Sequence, residues 1–355
     1  MSITFFKLPV FGINAETADC VRLDFKIPAD LTKNFNFLPG QYLTFKAILG
    51  GTEVRRSYSI CSLPEDEVLS VAVKKIPGGV FSSFVNDELR VGDELEVMPP
   101  TGGFTLPVEV GDTSNYVFYA AGSGITPCLS MIRWVLSHRP EATVSLYYGN
   151  KHSDSIIFRE TLEGLKNQYM GRFSLHHILS QEAQDSPLFC GRINEEKCRF
   201  FEQKLNRFPA QSQYFLCGPA AMVFEVKDCL TELGVDNRHL HFELFTTAGM
   251  AAPKAQQQEK EKTGAKIRMK LDGLEFEFDF TGSETNILDA ALKNGADLPF
   301  ACKGGVCSTC KAHCDEGEVD MAVNYALEPD EVAAGYVLTC QSSPKSKFVY
   351  INFDK

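Results

Sequence analysis

The chain has 355 residues, 44% of them hydrophobic and 23% charged, a composition typical of a folded protein with more than one domain. Its net charge of −11 argues against a nucleic acid as partner. No apolar run approaches the ~18 residues that a membrane span needs, and the first residues lack the basic start and apolar stretch of a signal peptide. We therefore expect a cytoplasmic protein with neither a membrane nor a nucleic-acid partner.

Residues 1–107 predict an antiparallel β-barrel, because short alternating strands are separated by turn residues. The strands expected there are Val21–Phe25, Gln41–Ala47, Leu69–Lys75 and Glu94–Met98. Residues 108–245 alternate strands with helices, which predicts an α/β domain with a doubly wound parallel sheet. Its expected strands are Tyr116–Ala120, Thr143–Tyr148, Phe173–Leu179, Gln213–Leu216 and Leu240–Phe245. Its expected helices are Pro127–Leu136, Ile157–Gln168, Glu195–Leu205 and Ala220–Leu233.

Residues 246–263 are rich in Ala, Gln, Lys and Glu and have no apolar period, which favours a domain linker over an ordinary long surface loop. The following domain, residues 264–355, is more acidic, with 9 basic and 15 acidic side chains. Within it the pattern predicts an α+β fold that begins with a hairpin and a helix: Lys266–Leu271 with Glu275–Phe280, and Asn286–Asn294, opened by Thr285.

Four cysteines in this last domain have a spacing that indicates a metal centre: Cys302-x4-Cys307-x2-Cys310, and then Cys340 after 29 residues. A structural zinc site usually presents two Cys-x2-Cys-like pairs, whereas three ligands on one loop and a distant fourth are typical of plant-type [2Fe–2S] clusters. Zinc and unliganded thiols are the alternatives. Glycines in the first gap let the loop curl so that its N–H groups face the sulfurs. Cys314 lies outside this spacing, and we expect a small buried side chain there.

A glycine turn, Gly122-Ser123-Gly124-Ile125-Thr126-Pro127, follows an apolar strand and opens a helix. Free N–H groups and the helix dipole at such a turn can bind a phosphate, although many ordinary strand–helix turns also contain glycine. Cys217-Gly218-Pro219 ends another strand of the same sheet, so both loops should lie at its carboxyl edge. Gly149-Asn150-Lys151 ends a third strand. Lys151, if it is more than a solvated surface lysine, favours NADPH over NADH, because a 2′-phosphate attracts a cation.

Two motifs in the barrel suggest a flat, phosphorylated cofactor. Arg56-Ser57-Tyr58-Ser59 lies at a strand edge, and Gly78-Gly79-Val80-Phe81-Ser82-Ser83 precedes a short helix. An arginine beside a tyrosine can bind a pyrophosphate while the tyrosine ring stacks on a flat ring system. Taken alone, the first motif is also consistent with an ordinary pair of surface strands.

Taken in order, these motifs resemble the ferredoxin–NADP reductase superfamily fused to a C-terminal plant-type ferredoxin, over essentially the whole chain. Within that superfamily the sequence resembles the reductase subunits of phenylacetyl-CoA epoxidases (ring 1,2-epoxidases). The stretches that carry this closer resemblance are Arg55–Cys61, Ala120–Pro127, Cys217–Met222, Asp297–Cys310 and Asn324–Cys340. The resemblance implies an FAD-binding barrel, an NAD(P)-binding α/β domain and a β-grasp [2Fe–2S] domain.

The resemblance also implies a role for each motif residue. Arg56 would bind the FAD pyrophosphate, Tyr58 would stack on the isoalloxazine, and Ser59 would hydrogen-bond near flavin N5. Further FAD contacts would come from Ser57, Val73, Lys74, Gly79, Val80, Phe81 and Ser82. The dinucleotide would be held by Gly122, Ser123, Gly124, Thr126, Asn150, Lys151, Cys217, Gly218 and Pro219. Ser59, Cys217 and Glu243 would be catalytic, Phe245 would cover the flavin, and Cys302, Cys307, Cys310 and Cys340 would bind the cluster.

The function that follows from the resemblance is transfer of electrons from NADPH to FAD, then to the [2Fe–2S] cluster, and finally to a di-iron oxygenase that epoxidises phenylacetyl-CoA. The ferredoxin domain would dock transiently on that oxygenase. The cluster loop has Lys303 where plant ferredoxins commonly have arginine, which bears on partner contacts or reduction potential but not on ligation. The alternatives are a reductase of another oxygenase, which hydroxylates aromatic rings or hydrocarbons, a non-oxygenase NAD(P)H oxidoreductase, and a redox sensor.

Overall fold

The computed structural model describes residues 4–107, 115–206, 212–245 and 264–355. These residues form two compact units: one is Phe6–Phe245, and the other includes residues 4–5 and 264–355. The predicted linker, 246–263, lies outside the described residues. Among the helices of the described ranges, none is long and apolar enough to cross a membrane.

The first domain is a six-stranded antiparallel barrel. Its strands are β1 (Phe6–Thr17), β2 (Cys20–Phe25), β3 (Tyr42–Leu49), β4 (Thr52–Ser59), β5 (Leu69–Lys74) and β6 (Glu94–Val97). They pair in the order β4-β3-β6-β1-β2-β5, and a bridge between Ile60 and Val71 links the two ends. Apolar side chains such as Phe25, Phe45 and Val97 fill the interior, as the alternating pattern predicts.

The strand pattern does not indicate β1, and the structure shows why. Pro9 lies inside this strand, and a bulge interrupts the strand pairing between Val10 and Gly12. Residues that normally mark a turn therefore occur within the strand. The second barrel motif also differs in detail, because α1 (Val80–Asp87) begins inside it rather than after it. Gly79 is the N-cap residue of that helix.

The second domain is a five-stranded parallel sheet with helices on both faces. Its strands are β7 (Asn115–Ala121), β8 (Thr143–Asn150), β9 (Phe173–Leu179), β10 (Ser212–Gly218) and β11 (Leu240–Leu244), in the order β11-β10-β7-β8-β9. Its helices are α2 (Ile125–His138), α3 (Arg159–Gln168), α4 (Glu195–Lys204) and α5 (Ala220–Glu232). The predicted doubly wound architecture is confirmed.

Alternate residues of the central strand explain how both faces of this sheet are covered. Phe118 of β7 belongs to the apolar cluster that includes α2 residues and Leu162 of α3. Its neighbour Tyr119 points to the opposite face, where Tyr147 stacks on Phe201 of α4 with a ring separation of 4.2 Å. The sheet is therefore buried on both sides, as its nearly continuous apolar strands require.

The C-terminal domain is a β-grasp. Its main sheet is made of β12 (Ala265–Leu271), β13 (Leu274–Phe280), β14 (Lys311–Glu316), β16 (Tyr336–Leu338) and β18 (Phe348–Asn352), in the order β13-β12-β18-β14-β16. A smaller pair joins β15 (Val319–Met321) to β17 (Ser342–Pro344), and α7 spans Pro329–Ala333. The predicted hairpin is confirmed as the antiparallel pair β12–β13.

The helix of this domain starts one residue later than predicted. It is α6 (Ile287–Lys293), and the N-cap residue is Asn286, whose side chain accepts a hydrogen bond from the backbone N–H of Asp289 at 2.8 Å. The prediction that Thr285 opens the helix was wrong, because the asparagine that follows it supplies the cap. The inner face of α6, including Leu288, packs on the sheet core.

The turn between β7 and α2 passes so close to β10 that only glycine fits there. A Cβ added to Gly124 would lie 2.1 Å from the carbonyl oxygen of Cys217 and 2.5 Å from its carbonyl carbon. Because backbone atoms of a central strand have little freedom to move, a side chain at this position must distort the turn. The two loops at the carboxyl edge of the sheet therefore depend on this contact.

We expect Gly124→Ala to destabilise the protein by about 1–3 kcal/mol, the usual cost of overpacking. The matched control is Gly164→Ala on the exposed face of α3, where an added Cβ meets nothing within 4 Å. That change should stabilise the helix by about 0.5–1 kcal/mol. Thermal unfolding followed by circular dichroism measures both. Equal midpoints for Gly124→Ala and the unmodified protein would contradict the close contact.

Candidate electron-transfer sites

The Arg-x-Tyr-Ser motif occupies the end of β4, the strand at one end of the barrel order. Arg56 is exposed and Tyr58, two residues on along the same face, is half-buried. The Tyr58 ring stacks on Phe81 of α1, with centroids 5.8 Å apart and planes inclined by 29°. Ser57 shares a hydrogen bond of 2.9 Å with Thr44 of β3. The face therefore presents a guanidinium beside an aromatic ring whose orientation Phe81 supports.

The glycine loop at the start of α1 is fixed by Ser82. Its Oγ accepts a hydrogen bond from the N–H of Ile76 and donates one to the carbonyl oxygen of Gly79, each at 3.2 Å. A Cβ on Gly79 would lie 2.5 Å from that hydroxyl oxygen. Because the first N–H groups of a helix have no intrahelical partner, this tight turn fits a phosphate. Val80, 55% exposed, projects outward.

Val73 and Lys74 lie at the end of β5. The Val73 side chain is fully buried in the barrel core, so any contact it makes with a flavin comes from its backbone. The Lys74 ammonium lies 3.5 Å from the Asp19 carboxylate.

The structure brings together three residues that are far apart in the sequence. Ser59 Oγ donates a hydrogen bond of 3.5 Å to Glu243 Oε2, and Glu243 on β11 is the register partner of Cys217 on β10. Burial raises the pKa of Glu243 to about 8, although the Ser59 hydrogen bond opposes this shift. Burial also raises the pKa of the Cys217 thiol well above its usual value. At neutral pH both groups are therefore protonated and uncharged.

Phe245 follows Glu243 at the end of the range 212–245 and packs, half-buried, against the apolar cluster of the α/β domain.

The glycine turn between β7 and α2 lies in the same domain. Tyr148 Oη donates to the carbonyl oxygen of Gly122 at 2.9 Å, and Thr126 Oγ1 donates to that of Ser123 at 3.0 Å. These bonds fix the conformation of the predicted phosphate-binding turn by holding two of its carbonyl oxygens.

The second loop that the sequence predicts to hold the dinucleotide begins at Gly218, which has φ +157° and leads to Pro219, the N-cap residue of α5. A Cβ on Gly218 would lie 3.1 Å from Cβ of Ala121. The ends of β7 and β10 are therefore in direct contact, and together they form a cradle of backbone atoms at the carboxyl edge of the sheet.

A third loop bears on the choice of nucleotide. Asn150 ends β8 and is buried, whereas Lys151 is exposed. Ser153, two residues later, donates its backbone N–H to Glu182 Oε2 at 2.7 Å. Sequence reasoning missed Glu182. The signal that could have found it is its place after β9, since neighbouring parallel strands end at the same edge.

The four cysteines form two pairs rather than one group of four. The sulfurs of Cys302 and Cys307 are 3.1 Å apart, and the thiols of Cys310 and Cys340 are hydrogen-bonded to each other. In the part of the chain that the structure describes, no three His, Cys, Asp or Glu side chains are placed to hold a single metal ion. A zinc site would gather all four ligands around one ion, whereas two pairs fit a cluster of two irons.

Polar hydrogens surround these sulfurs. The N–H of Gly304 donates to Cys302 Sγ at 3.3 Å, and hydrogen bonds from the Cys307 thiol and from backbone N–H groups lower the pKa of Cys302. Gln341 Nε2 lies 3.6 Å from Cys340 Sγ. Donors directed at sulfur suit a cluster that carries negative charge. Sequence reasoning missed Gln341, and its place directly after Cys340 was the available signal.

The sequence also drew attention to two other residues of this domain, Lys303 and Cys314. Lys303 has φ +51°, and its ammonium lies 2.8 Å from the Asp289 carboxylate in the first turn of α6. Cys314 is half-buried rather than buried, and its thiol faces the carbonyl oxygens of Glu316 and Gly317. It packs at the margin of the domain core.

Comparison with known families identifies all three domains. Residues 7–106 match the oxidoreductase FAD-binding domain, residues 118–228 the oxidoreductase NAD-binding domain, and residues 269–345 the 2Fe-2S iron-sulfur cluster binding domain. The chain is 43% identical over 351 residues to a subunit of the 1,2-phenylacetyl-CoA epoxidase of Escherichia coli (strain K12), covering 99% of this chain and 98% of that protein. The chain belongs to the ferredoxin–NADP reductase superfamily, among oxygenase reductases with a C-terminal [2Fe–2S] domain.

Other proteins match the reductase over nearly its whole length. It is 30% identical over 353 residues to the ferredoxin reductase component of 3-ketosteroid-9-alpha-monooxygenase from Rhodococcus rhodochrous, covering 98% of this chain and 96% of that one. Phthalate dioxygenase reductase has a similar fold, with a TM-score of 0.57 at 22% identity and 98% coverage of both chains. A type IV self-sufficient cytochrome P450 monooxygenase matches with a TM-score of 0.72 at 20% identity, over 98% of this chain and 41% of the other.

These findings establish the reaction class. The reductase is an NAD(P)H-dependent flavin and iron–sulfur oxidoreductase that serves as the electron-transfer component of an oxygenase. It uses FAD, a [2Fe–2S] cluster and a nicotinamide dinucleotide.

Proposed function

We propose that the reductase transfers electrons from NADPH, through FAD and the [2Fe–2S] cluster, to the di-iron oxygenase that epoxidises phenylacetyl-CoA in aerobic phenylacetate degradation. The observation that supports this choice is 43% identity over nearly the whole chain to an epoxidase component, against 30% to a ketosteroid monooxygenase component. We assign FAD binding to residues 1–107, NAD(P) binding to 108–245 and the cluster to 264–355, with 246–263 as linker. FAD takes up two electrons as hydride and releases them singly, as the cluster requires.

The chain's own residues would bind and orient these groups. Exposed Arg56 would bind the FAD pyrophosphate, since a guanidinium makes paired hydrogen bonds to phosphate oxygens. Tyr58, supported by Phe81, offers its ring to the isoalloxazine. The start of α1 would receive phosphate oxygens, and Phe245 would cover the flavin until the nicotinamide replaces it.

Glu243 would keep the hydride-transfer site free of negative charge. Hydride transfer brings negative charge to the flavin ring, so a carboxylate beside the ring would oppose it. Because burial raises the pKa of Glu243 to about 8, the group stays neutral at physiological pH and shares a hydrogen bond with Ser59. Cys217, also neutral, would pack beside the nicotinamide.

This assignment predicts the pH dependence of NADPH–ferricyanide activity. The rate should fall as pH rises through about 8, because Glu243 then loses its proton. Glu243→Gln, which stays neutral at every pH, should remove that decline between about pH 7 and 9. Stopped-flow measurement of flavin reduction separates hydride transfer from later steps. An equal decline in the variant would contradict the assignment.

The choice of NADPH rests on Lys151, which is exposed at the carboxyl edge of the sheet. One observation favours NADH instead: Glu182, bound to the Ser153 N–H at 2.7 Å, adds a carboxylate beside the same loop. A carboxylate suits ribose hydroxyls, whereas an ammonium suits a 2′-phosphate.

We expect Lys151→Ala to lower kcat/KM for NADPH roughly tenfold and to leave NADH nearly unchanged, since a charge-assisted hydrogen bond is lost only with NADPH. Glu182→Gln should shift the preference further toward NADPH. Steady-state kinetics with both nucleotides measure the two ratios. Equal losses with both nucleotides in Lys151→Ala would refute the role of that lysine.

We assign the cluster to Cys302, Cys307, Cys310 and Cys340. Cys307→Ala should abolish the visible absorption and the iron content of the cluster while flavin content and NADPH–ferricyanide activity remain. Cys314→Ala is the matched control in the same domain, because its thiol faces carbonyl oxygens instead of the paired sulfurs. An intact cluster spectrum in Cys307→Ala, or zinc in place of iron in the unmodified protein, would contradict this assignment.

The proposed partner is tested by reconstitution with purified oxygenase components. The epoxidase oxygenase should turn over phenylacetyl-CoA at the expense of NADPH, and a ketosteroid oxygenase should be reduced far more slowly. The cluster domain has 9 basic and 15 acidic residues, so it should dock onto a basic surface of the oxygenase. Because salt screens that attraction, added salt should slow oxygenase reduction much more than it slows ferricyanide reduction. Equal rates with both oxygenases would contradict the proposed specificity.

A further inference from the structure

Gln341 follows Cys340 directly, and its side chain reaches across to the loop that carries Cys302 and Cys307. Its Nε2 lies 3.0 Å from the carbonyl oxygen of Lys303 and 3.6 Å from Cys340 Sγ. A carbonyl oxygen only accepts hydrogen bonds, so the group facing it is the amide NH2, which has two N–H donors. One donor serves the carbonyl, and the other is left for the sulfur.

The position of this amide is fixed on several sides. The backbone N–H of Gln341 donates to Leu338 at 2.9 Å, and its carbonyl oxygen accepts from Ala322 at 2.9 Å. Gly305, with φ +74°, packs against the side chain so closely that a Cβ would lie 3.1 Å from Gln341 Cγ. The amide is therefore held against the loop instead of being free in solvent.

The same loop is held independently from its other side. The Lys303 ammonium lies 2.8 Å from Asp289 Oδ1, while the carbonyl oxygen of Lys303 accepts from Gln341. Lys303 therefore connects the first turn of α6 to the residue after Cys340. Asp289 and Gln341 restrain one segment by different groups, so the two restraints are separable by mutation.

We propose that Gln341 is a positioning residue that raises the reduction potential of the cluster through its hydrogen bond to the Cys340 sulfur. Reduction adds one negative charge that spreads onto the ligating sulfurs, and an N–H dipole directed at a sulfur stabilises the reduced form more than the oxidised form. The inference rests on the proposed ligation by the four cysteines and extends it to a residue that binds no iron.

The test is Gln341→Leu in the full-length protein, because leucine has a similar volume and no donor. Anaerobic redox titration, followed by visible absorption and by electron paramagnetic resonance of the reduced cluster, gives the midpoint potential. We expect the one-electron equilibrium to shift about tenfold toward the oxidised form, which corresponds to about 59 mV. The g-values should change, whereas flavin reduction by NADPH should not.

Asp289→Asn is the matched control. It loosens the same loop by breaking the contact to Lys303, but it removes a negative charge and should leave the potential unchanged or raise it. If Gln341 acts only by holding the loop, both variants will shift the potential in the same direction, and the proposal is overturned. An intact cluster with an unchanged potential in Gln341→Leu overturns it as well.

A second variant tests the proposal if Gln341→Leu does not retain its cluster. Gln341→Asn keeps the amide but shortens the side chain by one methylene, so the amide no longer reaches the Cys340 sulfur or the Lys303 carbonyl oxygen. We expect the same drop in reduction potential as in Gln341→Leu. Loss of the cluster from both variants counts against tuning and assigns Gln341 to cluster retention. Absence of iron and sulfide from the unmodified protein would contradict the cysteine ligation itself, whereas an unchanged potential contradicts only this inference.

Discussion

The carboxyl ends of parallel strands meet at one edge of the α/β sheet, and the site that we propose for hydride transfer depends on how closely they approach. Gly124 passes so near the carbonyl of Cys217 that a single methyl group would collide with it. Because β10 also pairs with β11, the same alignment sets Glu243 beside Cys217. From there Glu243 reaches Ser59 at the end of a barrel strand. Backbone contacts thus hold Gly124, Cys217 and Glu243 in place, and a side-chain hydrogen bond connects them to Ser59.

The cluster site is organised by a different constraint. One loop supplies three cysteines, and a separate segment supplies the fourth, so the pair of Cys310 and Cys340 forms only when these segments are held together. Backbone hydrogen bonds link them: Thr339 donates its N–H and its hydroxyl to the carbonyl oxygen of Cys310. Gln341 adds a side-chain connection from the same segment to Lys303. Hydrogen bonds within the protein therefore hold the loop and the segment that carries Cys340 together.

Much of this was predictable from the sequence because periodicity and spacing are local signals. The alternation of strands and helices after residue 107 and the cysteine spacing each indicate one architecture. Strand β1 was missed because Pro9 and Gly12 usually mark turns, and here a bulge accommodates them. Glu182 and Gln341 were missed for another reason. Each of them contacts a residue of another segment, Ser153 or Lys303, and the sequence signals only their places after β9 and after Cys340.

The central claim is that a single chain carries electrons from the nucleotide through the flavin to the cluster. Anaerobic titration of the full-length protein with NADPH, followed by flavin and cluster absorption together, tests it most directly. Because the flavin takes two electrons and the cluster one, we predict an end point of about 1.5 nucleotides per chain. An end point of about one nucleotide, with the flavin reduced and the cluster absorption unchanged, would contradict it.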